Sequence, residues 1–175
     1  MASDTYNLFF TGRDDPRGCL VIGEDTKPIY FCFETAVKHL SAARTIVYGG
    51  DQQLVAKLDW SPGNHLGSAK IGNRQLPMSQ LVMPGSSSSS RQFTSGNGRR
   101  YEWRRLPDNP TSYDLHSFSQ TTGPPTTIAA FRRYAQVTVV GPSHAMLQYT
   151  FDNWDLLVDA LLALCVNRWI DKHGV

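Results

Sequence analysis

The residues best suited to chemistry in this chain are arginines in its second half. Tyr101 and Trp103 lie among them and would line an adjacent groove. A planar guanidinium offers paired N–H donors that match the oxygens of a phosphate group. The alternative is a solvated strand face, on which arginines flank Glu102 as weak surface ion pairs. The six candidate ligand-binding residues are Arg99, Arg100, Arg104, Arg105, Arg132 and Arg133.

The sequence patterns of common enzyme and metal sites are missing. The five histidines have no metal-ligand spacing, and there is no Cys-x-x-Cys, His-Glu-x-x-His or Gly-x-Ser-x-Gly motif. Cys19, Cys32 and Cys165 sit among apolar residues, so we interpret them as buried free thiols. We therefore expect no enzyme, no cofactor and no metal. A sugar-binding module is a further alternative, although Trp60 and Trp103 alternate with polar neighbours as if facing inward.

Length and charge narrow the class of protein. A chain of 175 residues is typical of one domain, here residues 1–175, and can bury a sizeable core. A net charge of +2 argues against disorder and against an avid nucleic-acid binder. The N-terminus lacks the charged and apolar regions of a signal peptide, so we expect a cytoplasmic protein, with peripheral membrane association as an option.

The strongest structural signal is an apolar helix at about residues 152–173. From Leu156 to Val166 the only polar residue is Asp159, so no single face of a helix can hold all the apolar side chains. Asp152 is the expected N-cap and Gly174 the expected C′ residue. A membrane anchor is the alternative, but a span needs about 20 mostly apolar residues, and this run has about half that number. We therefore predict a buried core helix and no transmembrane segment.

Short strands precede the helix. Leu54 to Trp60 alternates apolar and polar residues, and similar runs recur roughly every ten residues between turn signals. The serine-rich segment 85–90 interrupts them and is predicted to be a mobile surface loop. Because a closed sheet leaves no exposed edge and offers an apolar interior, we predict a mainly β protein: a closed antiparallel barrel of about ten to twelve strands around the C-terminal helix.

Four stretches carry a resemblance to known families: Pro28 to Thr35 (PIYFCFET), Arg44 to Ile46 (RTI), Leu54 to Trp60 (LVAKLDW) and Phe93 to Trp103 (FTSGNGRRYEW). They are similar to an uncharacterised domain family of mushroom-forming fungi. The overall pattern resembles the superfamily of Tubby C-terminal domains, LURP-one-related proteins and phospholipid scramblases, which implies a barrel enclosing a hydrophobic C-terminal helix.

The resemblance also suggests a function, since Tubby domains bind phosphoinositides. We expect an intracellular binding module that recognises anionic phospholipid or phosphoinositide headgroups through the six arginines. The alternative is a protein–protein interaction or scaffold domain without a small ligand. This chain lacks a cysteine-rich palmitoylation run and a second apolar segment, so scramblase activity is not implied.

Overall fold

The structure is a computed structural model that describes residues 3–37, 42–118 and 123–174. Within these ranges the chain forms fourteen strands and one α-helix. The first seven strands are β1 (Tyr6–Gly12), β2 (Cys19–Gly23), β3 (Tyr30–Val37), β4 (Ala43–Tyr48), β5 (Leu54–Ser61), β6 (His65–Ile71) and β7 (Arg74–Pro77). The remaining elements are β8 (Met83–Pro84), β9 (Ser90–Thr94), β10 (Arg100–Arg105), β11 (Tyr113–Ser117), β12 (Thr126–Arg133), β13 (Val137–Thr138), β14 (Gly141–Tyr149) and α1 (Trp154–His173). Short 3-10 turns span Gly50–Gln52, Pro62–Asn64 and Met78–Leu81.

All strand pairs are antiparallel and belong to one continuous sheet. Its order is β7-β6-β5-β4-β3-β2-β1-β14-β12-β11-β10-β9-β8, with β13 paired only to β14. Thus the first and last long strands meet in the middle of the sheet, where Leu8 of β1 faces Leu147 of β14. The structure has more strands than predicted, and the two shortest, β8 and β13, have two residues each.

The sheet surrounds α1. Every α1 residue from Leu156 to Trp169 is buried, as the apolar run predicts. In β5 the inward side chains Ala56, Leu58 and Trp60 are buried too, whereas Leu54 at the start of that strand is exposed. The prediction of a mainly antiparallel β protein around a C-terminal helix is therefore confirmed.

The structure corrects the predicted N-cap of the helix. Asn153, not Asp152, is the N-cap, because its side-chain oxygen accepts a hydrogen bond from the Leu156 N–H at 3.0 Å. Asp152 instead lies 2.6 Å from the Lys27 ammonium. At the other end Gly174 adopts φ +70°, a left-handed conformation that glycine allows, and its N–H bonds the Ile170 carbonyl at 2.7 Å.

Closure of the barrel is not confirmed. Among the residues that the structure describes, no ladder joins the two edge strands, β7 and β8. Pro77 ends β7 and Pro84 ends β8, and proline has no N–H to give to a neighbouring strand. Between them the 3-10 turn Met78–Leu81 contacts α1 and buries Met78 and Leu81. This turn covers the helix where the sheet is open.

Candidate functional site

A cavity at the C-terminal end of α1, which we call the mouth cavity, gathers six charged side chains. Strand ends, the β1–β2 turn and the last turns of the helix meet there. Its volume is about 260 Å³, and its lining residues are Asp14, Pro16, Arg105, Pro110, Thr111, Tyr113, Arg133, Arg168, Asp171 and Lys172. Four of these side chains are basic and two are acidic, an excess of two positive charges.

Asp14, in the β1–β2 turn, holds two of the arginines. Its carboxylate accepts hydrogen bonds from Arg133 at 2.7 Å and from Arg168 at 3.3 Å. The Arg168 side chain is only 8% exposed, and its guanidinium lies over the Phe131 ring at 4.6 Å. Burial alone would raise the pKa of Asp14, but Arg133, His144 and Arg168 outweigh it and lower that pKa. Asp14 is therefore ionised throughout the neutral range.

The second carboxylate, Asp171, is also partnered. Tyr113 donates its hydroxyl hydrogen to it at 2.8 Å, and Arg91 of β9 donates at 3.0 Å. Burial and the bond to Asp171 both raise the pKa of Tyr113, so its hydroxyl stays a donor. Asp171 thus has its own hydrogen-bond partners, one of which, Arg91, is a cation outside the cavity lining.

Two cations of the cavity remain available. The Arg105 Nε donates to the Pro110 carbonyl at 2.7 Å, and Lys172 is exposed on the last turn of α1. Within the described ranges neither residue takes part in an ion pair. The cavity therefore offers free basic groups beside an arginine pair already bound to a carboxylate.

His144 borders this cluster from β14. Its Nε2 is 3.7 Å from an Asp14 oxygen, and neither ring nitrogen has a hydrogen-bond partner in the described parts of the chain. Burial lowers the pKa of His144, while Asp14 opposes this shift and Arg168 and Arg133 reinforce it. The imidazole is therefore neutral at pH 7.

The six predicted arginines do not form one cluster. Arg105 and Arg133 meet at the mouth cavity. Arg104 and Arg132 instead pair with carboxylates, Arg104 with Glu102 at 3.2 Å and Arg132 with Asp114 at 2.7 Å. Arg100 lies over the Phe118 ring at 5.2 Å, and Arg99 is exposed at the β9–β10 turn. Whether any of them binds a ligand stays a prediction.

Sequence reasoning missed Asp14, Arg168 and Lys172. Asp14 belongs to an acidic pair that reads as a solvated turn, and Arg168 directly follows the apolar run of the helix. The available signal was the position of Arg168: a charge that shares a buried helix must reach the end of the surrounding sheet or find a partner there.

The serine-rich segment makes specific contacts with β10. Ser86 donates from both its backbone N–H and its hydroxyl to the Glu102 carboxylate, at 3.2 and 2.5 Å, and Ser90 is buried. Burial would raise the pKa of Glu102, but the bonds from Ser86 and Ser90 and the charge of Arg104 lower it. The mobility of residues 85–90 stays a prediction.

Other kinds of site find little support in the described ranges. No three histidine, cysteine, aspartate or glutamate side chains there gather closely enough to hold a metal ion. Cys19 and Cys165 are buried free thiols, and burial raises the pKa of both. Cys32 is a half-buried free thiol. Over the same ranges no helix has the length and apolarity that crossing a membrane requires.

Comparison with known proteins gives one match. A family model described as a family of unknown function, DUF6593, matches residues 14–168. No curated protein and no solved structure matches the chain.

Proposed function

Because the chain belongs to DUF6593, a family of unknown function, we propose its function from its own geometry: a non-enzymatic binding module that takes anionic phosphorylated headgroups at the mouth cavity. The observation that carries this proposal is the convergence of Arg105, Arg133, Arg168 and Lys172 on one cavity. Arginine forks match phosphate oxygens, and a lysine adds a point charge. The module would act inside the cell at a membrane surface.

The size of the cavity limits its ligand. Drug-sized ligands occupy pockets of about 300–1,000 Å³, and the mouth cavity has about 260 Å³. A phosphate group with part of a small polyol matches this volume, whereas an acyl chain does not. The headgroup of a phosphorylated lipid is thus a suitable class of ligand, with its chains left outside in the bilayer.

The charges around the mouth cavity predict weak binding of an anionic headgroup. The C-terminal end of α1 carries a partial negative charge of about half an electron, which opposes an anion. The excess of two positive side-chain charges outweighs it. Each basic residue near an anionic surface contributes about 1 kcal/mol. We therefore expect a salt-sensitive association with a Kd in the micromolar to millimolar range.

The test is co-sedimentation with vesicles of phosphatidylcholine alone, with added phosphatidylserine, or with added phosphoinositide. The variant Arg105→Gln/Lys172→Gln removes two cavity charges, about 2 kcal/mol of attraction, and should weaken binding roughly 30-fold. The matched control Arg99→Gln/Arg100→Gln removes the same net charge from the β9–β10 hairpin and should bind like wild type. Equal losses in both variants would refute the cavity, and wild type that ignores all vesicles at low salt would refute lipid recognition.

A second candidate function is a protein–protein interaction domain without a small ligand. The specific observation is β13 together with the turn that follows it, where Val137 is 84% and Val139 is 93% exposed. Next to it lies a groove with Phe9 and Ile22 in its lining and Glu24 and Asp25 as acidic members. Such a surface suits a protein partner that presents apolar and basic side chains. Under this function Val137→Ser/Val139→Ser would abolish partner binding and leave vesicle binding unchanged.

A further inference from the structure

In the mouth cavity the Asp14 carboxylate already occupies the place where an external anion could bind. Arg133 from β12, His144 from β14 and Arg168 from α1 converge on Asp14, which comes from the β1–β2 turn. The distances to the Asp14 oxygens are 2.7 Å from Arg133 Nη1, 3.3 Å from Arg168 Nη2 and 3.7 Å from His144 Nε2. Two arginines from separate elements therefore build one anion seat, with the His144 imidazole beside it, and the β1–β2 turn fills it.

The two sides of this contact differ in accessibility. Arg168 is 8% exposed and fixed against Phe131, so it cannot leave without disturbing the core. Asp14 is 48% exposed on a turn between two strands. A buried guanidinium without a counter-charge is strongly unfavourable. The seat therefore holds an anion in most molecules, and Asp14 is the part that can be exchanged.

We propose that Asp14 is a built-in competitor whose carboxylate is displaced when a phosphate monoester group binds the seat. This inference rests on the proposed function and names the group that the cavity takes. A phosphate monoester carries a charge close to −2 at pH 7 and three acceptor oxygens. It can accept hydrogen bonds from Arg133 and Arg168 together, and it brings more charge than the carboxylate that it replaces. A monoanionic carboxylate ligand has no such advantage over Asp14.

The competition has a calculable effect on affinity. The apparent Kd equals the intrinsic Kd divided by the fraction of molecules whose seat is open. If Asp14 leaves the seat open in about one molecule in ten, its removal tightens phosphate binding about tenfold. Asparagine is the suitable replacement, because it keeps the shape of the side chain and removes the charge.

The experiment compares thermal unfolding of wild type, Asp14→Asn and the control Asp114→Asn during titration with inorganic phosphate at constant ionic strength. Asp114 also pairs with an arginine, Arg132, but away from the cavity lining. We expect Asp14→Asn to melt below wild type without phosphate, because Arg168 loses its counter-charge. With phosphate its melting temperature should rise at concentrations about tenfold lower than for wild type, while Asp114→Asn should follow wild type.

The outcomes separate this inference from the proposed function. A similar phosphate response in wild type and Asp14→Asn would overturn the competition and leave the cavity as a phosphate site. If Asp14→Asn stays unfolded at every phosphate concentration, phosphate cannot replace the carboxylate and the inference is wrong. If no protein responds to phosphate, the inference also fails, and the vesicle assay then decides the proposed function independently. A repeat with acetate should leave wild type unchanged and should stabilise Asp14→Asn less than phosphate does. An equal effect of acetate and phosphate on Asp14→Asn would overturn the preference for phosphate.

Vesicles identify the source of the phosphate group. Asp14→Asn should bind vesicles that contain phosphatidylinositol 4-phosphate more tightly than wild type if the ligand is a lipid headgroup. An unchanged vesicle affinity together with a stronger response to free phosphate would support the seat and assign it to a soluble phosphate ester.

Discussion

Replacing Arg74 with methionine should destabilise the protein more than replacing its partner, Asp159, with asparagine. Asp159 is the polar residue in the middle of the apolar run of α1, and its side chain is 2% exposed. Its carboxylate is held by the Arg74 guanidinium of β7, by the Ser95 hydroxyl at 2.9 Å and by the Gly96 N–H at 3.2 Å. Arg74 is 39% exposed, so the two partners of this ion pair lie in different surroundings.

This difference in exposure between Arg74 and Asp159 sets the expected loss of unfolding free energy in each variant. Removing one partner of a buried ion pair costs about 3–5 kcal/mol when a charge is left in the interior. In Arg74→Met the carboxylate keeps Ser95 and Gly96 as donors, so we expect the lower value, about 3 kcal/mol. In Asp159→Asn the remaining arginine can turn toward water, so the loss is that of charge-assisted hydrogen bonds, about 1.5–2 kcal/mol.

Urea and thermal unfolding measure the difference. For a domain of this size 1 kcal/mol shifts the melting temperature by about 2–4 °C, so Arg74→Met should melt roughly 6–12 °C below wild type. Arg44→Met is the matched control, because the Arg44–Asp59 pair is partly exposed on both sides and should contribute under about 1 kcal/mol. A greater loss for Asp159→Asn than for Arg74→Met, or equal losses for Arg74→Met and Arg44→Met, would refute the reasoning.

Three further predictions test the core, the serine-rich segment and the pH response. Leu162 is 1% exposed, so Leu162→Ala should lower the free energy of unfolding of the protein by about 2–5 kcal/mol, measured in urea. A loss below about 1 kcal/mol would contradict the enclosed helix. Ser86→Ala should cost about 1–3 kcal/mol because it removes a donor from the buried Glu102 carboxylate. Ser88→Ala removes no donor from Glu102 and should change the melting temperature little. Burial holds the folded-state pKa of His144 below 6.5, so the unfolded chain binds a proton at this residue before the folded protein does. Wild type should therefore lose stability as the pH falls below about 6.5, and His144→Gln should lose less. Parallel profiles of stability against pH for the two proteins would contradict this.

The helix and the strands were predictable because burial leaves a local pattern. An apolar run such as Leu156 to Val166 needs contacts on all sides whatever surrounds it. In β5 the period-two alternation likewise identifies the inner face from neighbouring residues alone. The open edge between β7 and β8 was missed because closure depends on how two strands end. Pro77 and Pro84 end these two strands, but in the sequence a proline at such a position is equally typical of a turn.

The predicted arginine cluster divided for a geometric reason. Neighbouring residues of a strand point to opposite faces, so Arg104 and Arg105 separate, and so do Arg132 and Arg133. One member of each pair joins a carboxylate away from the cavity lining, and the other reaches the mouth cavity. The cavity itself has no sequence spacing to recognise, since Asp14 is 119 residues from Arg133 and 154 residues from Arg168.

The enclosed helix also explains why its buried polar residues make specific contacts. Apolar contact is non-directional, so a helix that is apolar on every side has no preferred rotation inside the sheet. Hydrogen bonds do have direction, and α1 sends its buried polar residues to three different places: Asp159 to Arg74 of β7, Asn167 to Arg91 of β9, and Arg168 to Asp14 of the β1–β2 turn. Together these contacts fix the rotation and depth of the helix. Of the three, only the contact of Arg168 lies in the mouth cavity, where Arg105 and Lys172 form no ion pair with any described residue. A contact that the fold requires is therefore also the place where an external anion can compete, and this connects the stability of the domain to its ligand.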